Sequence, residues 1–289
     1  MTPEQLQEGV LCQLRAGRWD ASIRLPKSKL GKELPKEIVR AMQDLIEDKT
    51  LLKDLATVRR SAKGLLQRNS LPFPIDGVWW VSKENVNYLD EEFKKFEEMN
   101  SKRLEEFLKK YDKMKNDFKS KYPTFYNSKN YPTKDELRKK YYFRWNFFQI
   151  SIPDKSTKVL SPSVYKRETE KLRGMVKQME EMTINLVGNM LHKRIKKLSS
   201  QCESGKINAG TFNSIELFMK RWDELWRDNV DEKKLKMVMA RLKKEMKGAS
   251  VDRLKGNEEF RENLGSQLET IMKKLHQVPD FTLKRKLDI

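Results

Sequence analysis

Two stretches of about forty residues, each with apolar side chains at alternating steps of three and four, constrain this chain more than any other feature. In the first, from Ser82 to the break at Pro123, the apolar positions are Val86, Leu89, Phe93 and Phe96. After an interruption at Asn100 they resume at Leu104, Phe107, Tyr111, Met114 and Phe118. This is a heptad seam with one stutter, the pattern of a long helix whose narrow stripe is met by another helix. Interleaved Glu and Lys fill the other faces, as on the solvated side of a coiled coil. The second stretch opens at Ser161-Pro162, a cap residue followed by proline at the first helical position. It closes at Ser204-Gly205-Lys206, and its stripe runs through Leu172, Met175, Met179, Met182, Leu186, Met190, Leu191, Ile195, Leu198 and Cys202. Each helix would be a rod of roughly 60 Å. Their matched lengths predict an antiparallel helical hairpin, and the polar Asn100 is placed to set register where rods of several copies assemble.

The remaining segments are shorter. Gly9–Arg15 and Ala21–Leu25 read as two strands around an Ala16-Gly17-Arg18 turn. After a loop from Pro26, a helix opens at Pro35 with Ile38, Met42, Leu45 and Ile46 on one face. Another runs from Leu51 to Leu66 and ends at Leu71-Pro72-Phe73-Pro74. Gly77–Val81 reads as a strand. Within the insert at 123–161, Thr133-Lys134-Asp135-Glu136 is a capping box, and the aromatic run Tyr141–Ile152 reads as a strand that pairs with the Trp79-Trp80 strand. Three amphipathic helices follow, over Thr211–Asp228, Asp231–Lys247 and Asn257–His276, and then a basic tail. The expected fold is mainly α: two long antiparallel coiled-coil-like helices, a small β element at their base and a C-terminal helical bundle. The expected divisions are 1–81, 82–203 and 204–289.

Charge narrows the function classes. The chain carries 61 Lys and Arg against 42 Asp and Glu, a formal +19 in 289 residues. An excess of this size attracts polyanions, DNA or RNA above all. It is unevenly spread: 82–122 has 11 basic and 10 acidic side chains, whereas 231–255 has 9 and 4. The candidate contact residues are Lys193, Arg194, Lys196 and Lys197, extended by Lys233, Lys234, Lys243, Lys244 and Lys247. On a helix the run from His192 to Lys197 wraps around instead of forming one stripe, with Ile195 inward. Trp79, Trp80 and Trp145 are a candidate partner surface or base-stacking platform, against the plainer reading of a buried mini-core.

Chemistry is harder to find. There is no GxxxxGK[ST] loop, no GxGxxG after a strand and no HExxH. The two histidines, His192 and His276, stand 84 residues apart and read as surface residues; Cys12 and Cys202 read as inert thiols. Asp154 and Glu47-Asp48-Lys49 are the nearest fragments of a nuclease-like carboxylate set, and such fragments are common in a chain that is 36% charged. The expectation is a non-enzymatic protein with no metal or cofactor. Two isolated cysteines and the absence of a leader-like start point to the cytoplasm, and no uncharged stretch is long enough for a membrane span.

The order of elements also resembles a known family. The carrying segments are ASIRL (21–25), LLQRNSLPFPIDGVWWVSKENVNYL (65–89), the long helix after it, TFNSIELFMKRWDELW (211–226) and the terminal RKLDI. Together they resemble an uncharacterised domain-of-unknown-function family of roughly 300 residues found in phages, plasmids and integrative elements. The likeness spans nearly the whole chain and rests on pattern, not on a catalytic signature. Members are often encoded beside MoxR- or CobS-type AAA+ ATPases. The resemblance therefore implies a helical adaptor acting with such an ATPase, and it carries over no site residues. Assembly of copies through the long helices is the third expectation.

Overall fold

A computed structural model describes residues 6–25, 41–151, 160–227 and 232–278. The chain is mainly helical with small sheets. It divides into two compact units that are not consecutive in sequence. One takes Met1–Leu11, Gln67–Lys83 and Phe148–Ile289; the other takes Cys12–Leu66 and Glu84–Phe147. The two long helices therefore belong to different units, and each covers its apolar stripe within its own.

The unit containing Glu84–Phe147 is built on the first long helix. Strand β1 (Gly9–Ala16) leads into it, followed by β2 (Ser22–Arg24), β3 (Met42–Asp44) and α1 (Thr50–Arg68). Then come α2 (Lys83–Lys121), α3 (Lys134–Lys140) and β6 (Phe143–Phe148), while β4 (Leu71–Pro72) and β5 (Val78–Ser82) belong to the other unit. The stripe of α2 is buried at Leu104, Phe107, Leu108, Tyr111 and Phe118 against Leu55 of α1, Leu45, Ile46, Leu137 and Tyr141. Tyrosine hydroxyls tie the loops to this core. Tyr111 donates to the Pro132 carbonyl at 2.8 Å, Tyr131 to Leu45 at 2.8 Å and Tyr141 to Trp19 at 2.9 Å. The Thr133–Glu136 capping box forms as its spacing predicts and starts α3.

Asn100, the polar break in the seam, is 4% exposed, and its Nδ2 donates to the Tyr141 carbonyl at 3.2 Å. Its amide is thus engaged inside its own unit. Asn100→Leu should cost roughly 1–3 kcal/mol, the usual range for leaving a buried carbonyl unpaired. Denaturant unfolding reads that loss, and sedimentation should show the oligomeric state unchanged.

Four local expectations are corrected here. The chain does not turn back at Gly17. The Gly17 amide donates to the Tyr142 carbonyl at 2.8 Å, so β1 runs on beside the aromatic segment, and β2 pairs with β3 in a separate two-stranded sheet. That pairing, Ser22↔Asp44 through Arg24↔Met42, makes Met42–Asp44 a strand where helical spacing was expected. Residues 26–40, which carry the rest of that expectation, lie outside the described residues. In the larger sheet the order is β4-β5-β1-β6, so β1 separates the Trp79-Trp80 strand from the aromatic strand. Leu71-Pro72, expected as a helix stop alone, pairs antiparallel with Trp79-Trp80 through a tight turn at Gly77, whose φ of 71° favours glycine.

The other unit is organised by the second long helix, α4 (Pro162–Ser204). Ser161 caps it by accepting the Val164 amide, Pro162 sits in its first turn, and Gly205 closes it at φ 70°. Around it pack α5 (Ala209–Arg221), a π-helical turn Trp222–Trp226, α6 (Lys233–Met246), α7 (Val251–Gly256) and α8 (Glu258–Leu275). Val176, Met179, Ile184, Val187, Leu191, Ile195, Leu198 and Cys202 form the buried face of α4. The helix α8 meets it with Leu264, Gly265, Leu268 and Ile271. A Cβ at Gly265 would stand 3.2 Å from that of Cys202, so glycine here permits the close approach. Asn208 and Asn257 cap α5 and α8. The basic tail beyond residue 278 lies outside the described residues.

Both thiols are buried. Burial pushes Cys12 up to about 12 and raises Cys202 as well. The native protein should therefore take up no thiol reagent at mildly alkaline pH, and the full two equivalents per chain only in denaturant. A spectrophotometric thiol titration checks this.

Candidate nucleic-acid interface

The helix α4 has two faces of opposite character. Leu191, Ile195, Leu198 and Cys202 point into the core. One turn around the helix, His192, Lys193, Lys196 and Lys197 line an open groove of about 600 Å³. Asn189, Ser200, Gln201 and Ser204 continue the same lining. These positions recur every three or four residues and run for about 22 Å along the helix. No carboxylate lines the groove, and Lys193, Lys196 and Lys197 make no ion pair among the described residues. All three are exposed. The far end is fixed from α5: Gln201 donates to the Thr211 hydroxyl at 3.1 Å and accepts the Asn208 amide at 3.1 Å.

Arg194, expected with the lysines, faces elsewhere. Its Nε donates to the Ser214 carbonyl at 3.2 Å, its Nη1 to Met190 at 2.9 Å, and its guanidinium lies 5.2 Å from the centre of the Phe218 ring. A guanidinium satisfied this way is a strut between α4 and α5, not a free phosphate ligand. The lysines on α6 divide similarly. Lys243 is paired with Asp223. Lys233, Lys244 and Lys247 are exposed. The Lys234 Nζ donates to the Gln277 carbonyl at 3.4 Å, which brings it to the end of α8, one residue past His276.

His276 in turn meets the groove. Its ring centroid is 5.3 Å from that of His192, with the planes 38° apart. His192 is half-buried, and burial holds its imidazole below the ordinary range, assisted by His276 and Lys196. Sequence spacing gave no hint of this pair across 84 residues. The groove itself has a faint signal, because 192, 196, 200 and 204 are each four residues apart and all polar.

Of the three candidate tryptophans, Trp80 is buried and Trp79 and Trp145 are half-buried. Trp80 is 4% exposed and donates from Nε1 to the Leu6 carbonyl at 3.0 Å. Trp79 is half-buried opposite Pro72. Trp145 donates to Asp90 Oδ1 at 2.8 Å and tilts against Phe93 at 5.7 Å. Lys94 and then Trp145 hold the Asp90 carboxyl below its ordinary range. Glu47 likewise accepts from Lys121 and Tyr122, Asp48 accepts the Thr50 amide, and Lys49 pairs with Asp44. Each member of that fragment thus has a local structural partner, and Asp154 lies outside the described residues. Among the described residues no group of three or more His, Cys, Asp or Glu side chains is placed to hold a metal ion. No helix there is long and apolar enough to cross a membrane.

The family model described as "Protein of unknown function (DUF3150)" matches residues 6–201. The chain belongs to the DUF3150 family. No curated protein and no solved structure matches it. The DUF3150 match covers the β strands, the first long helix and α4 almost to its end, so Lys193, Lys196 and Lys197 fall inside it. The helices α5 to α8, with His276 and the α6 lysines, lie beyond it.

Proposed function

We propose that this protein is a non-enzymatic, sequence-independent binder of nucleic acid that grips the phosphate backbone along α4. The observation that carries the reading is the alignment of Lys193, Lys196 and Lys197 along one groove with no carboxylate among its lining residues. The opposite face of the same helix is anchored in the core, which holds the row rigid. Lys193 and Lys197 are one turn apart, about 6 Å along the axis, which suits consecutive phosphates of one strand. No Phe, Tyr or Trp lines the groove to stack on unpaired bases, so the reading favours duplex DNA over single strands. Fluorescence anisotropy with a short duplex of arbitrary sequence tests it. Affinity that is insensitive to sequence and falls steeply with salt is the expected result. No binding at low salt would sink the reading.

A second reading, an adaptor for an AAA+ ATPase of a phage or mobile element, rests on the family resemblance drawn from the sequence. Co-purification from the native host with and without nuclease separates the two. An ATPase retained after nuclease treatment supports the adaptor, and nucleic acid as the only retained component supports the first reading.

A further inference from the structure

The imidazole pair gives the groove a feature that lysines alone would not. His192 on α4 and His276 at the end of α8 sit 5.3 Å apart at one end of the lysine row. The charged and titratable groups acting on His192 are His276, from α8, and Lys196, from α4 itself. Lys234 of α6 reaches the Gln277 carbonyl beside His276. Every one of these is cationic or becomes so on protonation. Without an anion, charging His192 is opposed by burial, by His276 and by Lys196. A phosphate seated across the two rings removes that opposition, because each imidazolium N–H then has a negative oxygen to donate to.

We propose that His192 and His276 form a phosphate subsite of the α4 groove that fills with uptake of protons, so that duplex binding tightens as pH falls through the histidine range. The inference rests on the nucleic-acid reading above and adds its regulation. Composition makes it unusually clean to test. The chain has only two histidines, both in this site, and burial keeps both cysteines raised. DNA phosphodiesters do not titrate near neutrality. Histidine is the side-chain type whose unperturbed titration falls between about pH 5 and 8.

The sign follows from linkage. In the free protein His192 is depressed, so the stability it contributes is present above the unfolded value near pH 6.5 and is lost as pH falls through its folded value. A bound phosphate reverses the direction by raising the pair, so affinity must grow as protons become available.

The experiment measures duplex affinity at fixed ionic strength between about pH 7.5 and 6.0, where two imidazoles each raised by about one unit tighten binding roughly tenfold. The variant His192→Gln with His276→Gln should show a flat pH profile and bind the duplex more weakly than the natural protein at about pH 6.0. Gln at the half-buried position 192 also alters packing on α4, so proton NMR of the natural chain supplies a second readout. Both ring signals, assigned by the single variants, should titrate at higher pH once duplex is added. Duplex binding with a flat pH profile, or ring signals unmoved by duplex, overturns the subsite and leaves the lysine reading standing. Absence of binding at every pH overturns both.

Discussion

Changing Lys193, Lys196 and Lys197 together to Glu should lower duplex affinity by roughly a hundredfold or more at low salt. Three attractive contacts become three repulsive ones on a face with no carboxylate to absorb the change. The fold should not notice. All three side chains are exposed, and surface substitutions of this kind usually stay within about 0.5 kcal/mol each. A matched control is available on α6. Lys243 is already neutralised by Asp223, so Lys243→Glu should weaken binding far less than any one of the three. Arg194→Lys tests the same partition from the other side. It disturbs the strut to Ser214 and Met190, so its effect should appear in thermal stability more than in DNA affinity.

The second large effect is on folding, at Gly9, which opens strand β1, and Gly17, which follows it. A Cβ at Gly9 would stand 2.3 Å from the Val81 carbonyl oxygen and 2.7 Å from the Trp80 ring. At Gly17 the Lys140 carbonyl oxygen would be 2.1 Å away, with the Tyr142 ring at 2.6 Å. In each case the obstacle is backbone, which cannot swing aside as a flexible side chain would. Neither glycine has a left-handed φ, so the requirement is close approach and not torsional freedom. Gly9→Ala and Gly17→Ala should each cost about 3 kcal/mol, the upper part of the usual overpacking range. That corresponds to a fall in Tm of roughly 6–12 °C for a unit of this size. Gly174→Ala is the comparison: an added Cβ there meets nothing, and it lies within α4, where alanine is the better helix former. It should leave Tm unchanged or raise it.

These predictions show which parts of the molecule were legible in the sequence. Helix limits were, because caps act locally. Ser161-Pro162, Gly205, Thr133 with Glu136, and Asn257 each bound an element by hydrogen bonds or dihedral preferences reaching only three or four residues. What covers a stripe was not. A seam such as Leu104, Phe107, Tyr111 and Phe118 says that something apolar must meet it, and a second long seam was the natural candidate. In the structure, aromatic side chains from the insert and the region before it cover that face instead, among them Tyr131, Tyr141 and Trp19. Strand order escaped for a related reason. The N-terminal β1 enters between two strands far downstream, and no local signal announces such an insertion.

The candidate site was half legible. Lys193, Lys196 and Lys197 were visible as a basic run. Helical spacing could not tell which of the four cations at 193–197 is taken up internally, because that depends on Ser214 and Phe218 from a neighbouring helix. The histidine pair lay beyond any local argument. Its two members meet only because α8 packs along α4.

The central claim, that a row of three lysines on α4 is the polyanion grip, is tested most directly by the salt dependence of duplex binding. Each phosphate contact contributes about 0.9 to the slope of log K against log salt, so Lys193→Gln, Lys196→Gln and Lys197→Gln together should reduce its magnitude by about 2.7. Over roughly 50 to 200 mM salt, that is a difference of some fortyfold in how far affinity falls. A slope unchanged by the triple substitution would place the contact elsewhere on this basic chain and contradict the account.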